Sequence, residues 1–176
     1  PETETLVDAI LNENLQGKTL LELGTGSGAI SISIAQENKD CFIFATDISI
    51  KSILVAKQNA AKFCCENIIF LNHDWNNEWL FPQVDYLISN PPYVDKEATS
   101  GKEEGIWHEP EIALFSKDKG LSDLKLILSK GKNFLNENGK VYLEHAPDQY
   151  EELNKFAMEN GYLNFSNLND LNGDKR

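Results

Sequence analysis

Apolar residues along this chain recur with two alternating periods. Leu6, Val7, Ile10 and Leu11 share one helical face, whereas Thr19-Leu20-Leu21-Glu22-Leu23 is a short apolar run closed by Gly24, which predicts a buried strand. The alternation repeats. Ala29 to Gln36 reads as helix, Cys41 to Thr46 as strand, and Ser49 to Phe63 as a helix started by a capping region at Asp47 and Ser49. Two further strands are predicted at Ile68 to Leu71 and Val84 to Ser89. From Asn90 to about Lys119 prolines, glycines and charges interrupt every period, which predicts a long irregular connection. Regularity returns with Leu121, Leu124, Ile127 and Leu128 on a helix to about Leu135. The turn Glu137-Asn138-Gly139, the strand Lys140 to Glu144 and a last helix from about Gln149 to Glu159, punctuated by Gly161, complete the pattern.

Strands alternating with helices predict an α/β domain, with a mostly parallel sheet covered by helices on both faces. Ligands of such sheets sit at the carboxyl ends of the strands. A chain of 176 residues, 41% of them hydrophobic, suits one domain with its own core. The balance of 16 Lys+Arg against 28 Asp+Glu, a formal charge of −12, is the opposite of the basic footprint of a protein that grips nucleic acid through phosphates. No direct nucleic-acid partner is expected. Cys41, Cys64 and Cys65 have neither metal-ligand spacing nor the pattern of a disulfide framework, so a reducing cytoplasm and no metal are expected. No apolar run approaches the about 20 residues of a membrane-spanning helix, and Pro1-Glu2-Thr3-Glu4-Thr5 is no signal peptide, so no membrane partner is expected. The chain starts at Pro1, has Met158 as its one methionine and ends at Asp174-Lys175-Arg176, which reads as a piece of a longer protein.

The first predicted strand runs directly into Gly24-Thr25-Gly26-Ser27-Gly28. Glycines there let the backbone turn tightly and approach a ligand, and the following helix aims unpaired N–H groups at the same place. No lysine follows Gly28 as a phosphate-binding P-loop requires, and the third glycine arrives one residue too early for the dinucleotide fingerprint. Preceded by the acid Glu22, the G-x-G-x-G pattern resembles motif I of class I S-adenosylmethionine-dependent methyltransferases, which have a Rossmann-like fold. Asp47, about 20 residues beyond the loop, stands where a carboxylate accepts hydrogen bonds from both ribose hydroxyls. It also suits a helix cap, and one carboxylate serves both ends. After the third strand, His73-Asp74-Trp75 offers a carboxylate and an indole. In the resemblance Asp74 faces the exocyclic amine of adenine and Trp75 its ring; a core role suits Trp75 equally.

The most specific signal is Asn90-Pro91-Pro92-Tyr93 at the end of the fourth strand. Two prolines stiffen the backbone and remove N–H donors, leaving carbonyls and the Asn90 side-chain oxygen as acceptors. Such a loop suits an NH2 group on an sp2 carbon, whose delocalised lone pair makes it a poor nucleophile. Accepting both protons holds the nitrogen and favours charge on it as it attacks a methyl carbon in line. Tyr93 would pack on the planar substrate. No Ser-His-Asp set competes, since His73, His108 and His145 are far apart in sequence.

Three further stretches resemble the peptide chain release factor glutamine N5-methyltransferases, the HemK/PrmC family. Pro1-Glu2-Thr3-Glu4 resembles the end of the family's Pro-Arg-Pro-Glu-Thr-Glu segment. His108-Glu109-Pro110-Glu111-Ile112-Ala113-Leu114 with Lys119-Gly120-Leu121, and Gly139 to His145 with Asp148-Gln149, resemble two more of its segments. The resemblance implies methyl transfer from S-adenosylmethionine, leaving S-adenosylhomocysteine, to the glutamine amide of a release factor's Gly-Gly-Gln motif. It places Glu22, Gly24, Thr25, Gly26, Ser27, Gly28, Asp47, Asp74, Trp75 and Asn90 at the cofactor. Asn90, Pro91, Pro92 and Tyr93 are placed at the glutamine, with Asn90, Pro91 and Tyr93 as the catalytic set and Glu109 near the substrate entrance. Residues 1–176 are then a catalytic domain without the family's preceding helical domain and last strands. An RNA or DNA amino methyltransferase using the same Asn90 to Tyr93 chemistry, and a non-enzymatic nucleotide-binding module, are the competing readings.

Overall fold

A computed structural model of the chain describes residues 2–95, 115–118, 120–169 and 173. Pro1, Lys119, the His108 to Leu114 stretch with its entrance residue Glu109, and Asp174-Lys175-Arg176 lie outside the described residues.

Strands β1 (Thr19–Leu23), β2 (Phe42–Asp47), β3 (Ile68–Asn72) and β4 (Val84–Ser89) alternate with helices α1 (Glu2–Leu11), α2 (Ala29–Glu37) and α3 (Ile50–Lys62). The short strands β5 (Val94–Asp95) and β6 (Phe115–Ser116) follow, then α4 (Ser122–Gly131), β7 (Leu135–Leu143) and α5 (Tyr150–Glu159). The main sheet has the order β3-β2-β1-β4-β7, and every pairing in it is parallel. The chain builds outward from β1 to β3, then jumps back across β1 to β4 and β7. With right-handed crossovers, that change of direction moves the later helices to the opposite face.

The two faces carry separate cores. Leu6, Ile10, Ile34, Ile43, Ile53 and Ile88 pack under α1, α2 and α3. Leu21, Leu23, Leu87, Ile127 and Trp79 pack on the other face, and Leu124, Leu128, Leu153 and Ala157 extend this side between α4 and α5. Because β1 is covered on both faces, it reads as an almost continuous apolar run rather than an alternating one. Each fully buried Leu or Ile contributes roughly 1.5–3 kcal/mol of transfer free energy. Cys41, Cys64 and Cys65 are free, and no helix of the described residues is long and apolar enough to cross a membrane.

Three boundaries differ from the sequence pattern. The helix expected to reach Leu135 stops at Gly131 and tightens into a 3-10 turn over Lys132–Phe134, so that Leu135 enters the sheet opposite Val84. Glu137-Asn138-Gly139, expected as a turn before the strand, is a bulge inside β7. Val84 pairs with Leu135 and Tyr86 with Lys140, and Asn138 takes a φ of 62° to absorb the extra residues. Finally, Gln149 closes a 3-10 turn over Pro147–Gln149, one residue before α5. Within the expected irregular connection, β5 and β6 pair Val94 with Phe115 and Asp95 with Ser116, which joins its two ends.

Candidate active site at the carboxyl edge of the sheet

Neighbouring strands β1 and β4 leave the sheet on either side of its topological switch point, where α/β sheets hold ligands. Their register pairs Leu23 with Ser89, and the Ser89 hydroxyl donates to the Leu23 carbonyl at 2.7 Å. Gly24 and Asn90 therefore leave the sheet side by side.

The amides of Gly24 and Thr25 both donate to the Thr46 carbonyl, at 2.9 and 2.8 Å, which folds the glycine loop back over β2. The Gly26 amide donates to Asp47 Oδ2 at 2.9 Å, while Asp47 Oδ1 accepts from the Ser49 amide at 2.8 Å. Ser49 in turn caps α3 through its hydroxyl, which accepts from Ser52 N at 3.2 Å. Asp47 thus shapes both the loop and the start of α3, and two of a carboxylate's roughly four acceptor positions are used. At Gly26, with φ 56°, a Cβ would meet no heavy atom within 4 Å, so the loop borders open space there. Gly28 differs. A Cβ on it would lie 2.9 Å from Ile32 Cδ1 and 3.1 Å from Ala56 Cβ, so the third glycine lets α2 pack closely on α3. Ser27 is exposed, and its carbonyl accepts from Asn59 Nδ2 of α3 at 2.9 Å.

Glu22 is buried between this loop and α2. Its Oε2 accepts from Thr25 Oγ1 at 2.7 Å and from the Ser31 hydroxyl, and its Oε1 has no hydrogen-bond partner among the described residues. Burial pushes its carboxyl above the usual range, against the lowering effect of the Ser31 and Thr25 hydrogen bonds.

The segment after β3 is held by α4. Trp75 Nε1 donates to Asp123 Oδ1 at 3.0 Å, and Lys130 Nζ donates to the carbonyls of Trp75, Asn76 and Asn77 at 2.8 to 2.9 Å. The half-buried indole lies against the glycine loop, 3.2 Å from where a Gly24 Cβ would stand. Asp74 Oδ1 accepts from the Asn76 amide at 2.9 Å and from Asn76 Nδ2 at 2.8 Å. Beside it, burial pushes the His73 imidazole below its ordinary value, and its ring meets Phe81 edge-on at 5.0 Å.

Pro91 and Pro92 are buried, whereas Asn90 and Tyr93 are half-buried. Asn90 Nδ2 donates to Thr3 Oγ1 of α1 at 3.1 Å. Tyr93 is held at both ends: its hydroxyl donates to Glu144 Oε1 at 3.0 Å, and its carbonyl accepts from Gln149 Nε2 at 2.8 Å. Gln149 Oε1 accepts from the Ala146 amide at 2.9 Å, and Gly120 packs so closely on the Tyr93 carbonyl that no side chain fits there. The edge therefore unites the glycine loop, Asp47, Trp75 and the Asn90 to Tyr93 loop. Thr3, Asp123, Glu144 and Gln149 support it although no role for them was read from the sequence; their contacts span 48 to 141 residues, beyond any local pattern.

Comparison with known proteins agrees with the fold. The family model of the methyltransferase small domain matches residues 1–109. A release factor glutamine methyltransferase from Shewanella oneidensis is 33% identical over 177 residues, covering 100% of this chain and 62% of the relative. A bifunctional methyltransferase from Rickettsia bellii is 38% identical over 165 residues, covering 93% of this chain and 30% of the relative. The chain thus spans less than two thirds of the length of these relatives. Among solved structures, the magnesium protoporphyrin IX methyltransferase of Synechocystis PCC 6803, with bound SAM, shares the fold with a TM-score of 0.67 at 18% identity, over 95% of this chain and 72% of that one. The matched segment holds both loops that meet at the β1–β4 edge and more than half of the residues, and on that ground the chain belongs to the methyltransferase small domain family.

Proposed function

We propose that this domain transfers the methyl group of S-adenosylmethionine to the side-chain amide nitrogen N5 of the glutamine in the Gly-Gly-Gln motif of peptide chain release factors. The observation that carries this reading is the Asn90-Pro91-Pro92-Tyr93 loop standing one strand away from the glycine loop. The name of the Shewanella oneidensis relative supports the choice of acceptor, and a charge of −12 suits a protein partner better than a bare duplex. No observation favours an RNA or DNA amine as acceptor.

The residues present fit the cofactor. The open space above Gly26 and the first-turn N–H groups of α2 receive its polar end, together with Gly24, Thr25, Ser27 and Gly28. Asp47 has acceptor positions left for two ribose hydroxyls, Trp75 offers its indole to the adenine, and Asp74 faces the exocyclic amine. Glu22 acts from beneath, holding Thr25 and Ser31.

S-adenosylmethionine supplies, when bound, a methyl carbon on a sulfonium sulfur, and transfer forms an N–C bond while the C–S electron pair leaves with the sulfur of S-adenosylhomocysteine. The protein's contribution is placement. Asn90 Oδ1 and the Pro91 carbonyl accept the two hydrogens of the glutamine NH2, which fixes the nitrogen and stabilises the positive charge it gains. The surplus proton then leaves to solvent. Tyr93 packs on the planar amide, and the buried prolines keep competing N–H donors away from it.

Incubation with S-adenosylmethionine and an unmodified release factor, followed by peptide mass spectrometry, tests the proposal. One added methyl on the glutamine of the Gly-Gly-Gln peptide is expected. No gain by a sample that binds the cofactor would overturn it.

A further inference from the structure

Glu144 stands at the carboxyl end of β7 and is 4% exposed. Its two oxygens serve both ends of the Asn90 to Tyr93 loop. Oε1 accepts from the Tyr93 hydroxyl at 3.0 Å, and Oε2 accepts from Thr3 Oγ1 at 3.0 Å; Thr3 Oγ1 in turn accepts from Asn90 Nδ2 at 3.1 Å. The Glu144 amide also donates to the Ser89 carbonyl at 3.0 Å, which sets the carboxylate beside the loop's first residue.

This chain of bonds has a direction. A carboxylate offers only acceptors, so the single hydroxyl proton of Thr3 is committed to Glu144, and Thr3 can face Asn90 only with lone pairs. The oxygen and nitrogen of a carboxamide are nearly equal in size, so packing alone does not choose between the two orientations of Asn90. The hydrogen-bond chain does: Nδ2 must point to Thr3, and Oδ1 is left for the substrate. The opposite orientation would set N–H donors against the hydrogens of an incoming NH2 group.

We propose that Glu144 is a positioning residue for methyl transfer, acting through Thr3 to keep the Asn90 carboxamide oxygen, rather than its nitrogen, turned toward the acceptor amine. The inference rests on the proposed function for the identity of that amine. It also gives α1 a part in the site, since Thr3 reaches Glu144 across 141 residues.

Three variants of the chain test it: Glu144→Gln, which replaces the obligate acceptor by a group that can also donate; Thr3→Val, which keeps shape without a hydroxyl; and Thr3→Ser, which keeps the hydroxyl. Thermal melting checks that each folds. The first two should lower kcat about 100-fold, the cost of a small misplacement in the site, with unchanged affinity for S-adenosylmethionine; Thr3→Ser should restore turnover. Independently of activity, NMR of the Asn90 side-chain NH2 should show one shifted, slowly exchanging proton in the wild type and Thr3→Ser, lost in the other two. Unchanged Asn90 signals in both Glu144→Gln and Thr3→Val would overturn the proposal, whatever the rates. Should the wild type methylate no release factor, the glutamine acceptor fails, while the Asn90 signals still decide the part played by Glu144.

Discussion

Asp47 Oδ2 accepts the amide hydrogen of Gly26 at 2.9 Å across 21 residues, and so ties the crest of the glycine loop to the end of β2. Its other oxygen holds the amide that opens α3. Asp47→Ala removes both bonds together with the carboxylate proposed to hold the ribose. Hydrogen bonds to charged groups contribute about 1.5–3 kcal/mol each, so a loss of affinity for S-adenosylmethionine of at least roughly tenfold is expected by calorimetry. Unchanged affinity would take the ribose role from Asp47.

Asn90→Ala removes the acceptor proposed to stand next to the reacting nitrogen. By analogy with the loss of one preorganised group in a transition-state site, single-turnover methylation should slow by roughly 100- to 1000-fold. A rate near the wild type would sink the mechanism.

Gly120 meets Tyr93 where no side chain fits. An added Cβ would overlap the Tyr93 carbonyl oxygen, and a φ of 82° strains any other residue. Gly120→Ala should therefore lower stability by about 1–3 kcal/mol and slow turnover by shifting the Tyr93 backbone. Urea denaturation reads the first effect; an unchanged midpoint would show that the loop yields freely.

Two carboxyls shape the pH dependence of stability in opposite ways. Glu13 accepts from Lys140 at 2.6 Å and Tyr142 at 2.7 Å, which hold its carboxyl below the usual 4.5. Its contribution is present above that value and is lost as pH falls through the lowered one. Burial raises Glu22 above 4.5, so its contribution is present below 4.5 and is lost as pH rises through the raised value. Denaturation midpoints measured between about pH 3 and pH 8 should show a flatter acid limb in Glu13→Gln and a smaller loss toward neutral pH in Glu22→Gln. Curves parallel to the wild type in both variants would contradict the assignment.

Strands Thr19–Leu23 and Val84–Ser89 stand where the apolar pattern predicts them, because a strand buried on both faces leaves a nearly continuous apolar run in the sequence, broken here only by Glu22 and Asp85. The chemistry proposed for Gly24 to Gly28 and for Asn90 to Tyr93 is likewise argued from the sequence, since it resides in residue type and immediate order. The bulge over Glu137-Asn138-Gly139 was not, because a turn and a bulge use the same residues and only the pairing with β4 separates them.

Local sequence thus determined most of the segments that form strands and helices and singled out the two loops proposed to carry the chemistry. Their meeting was decided by the tertiary structure. The jump from β3 across β1 to β4 sets Gly24 beside Asn90, and the packing of α1 near β7 brings Thr3 to Glu144. Such contacts follow from strand order and long-range packing, which no period of two or 3.6 residues records.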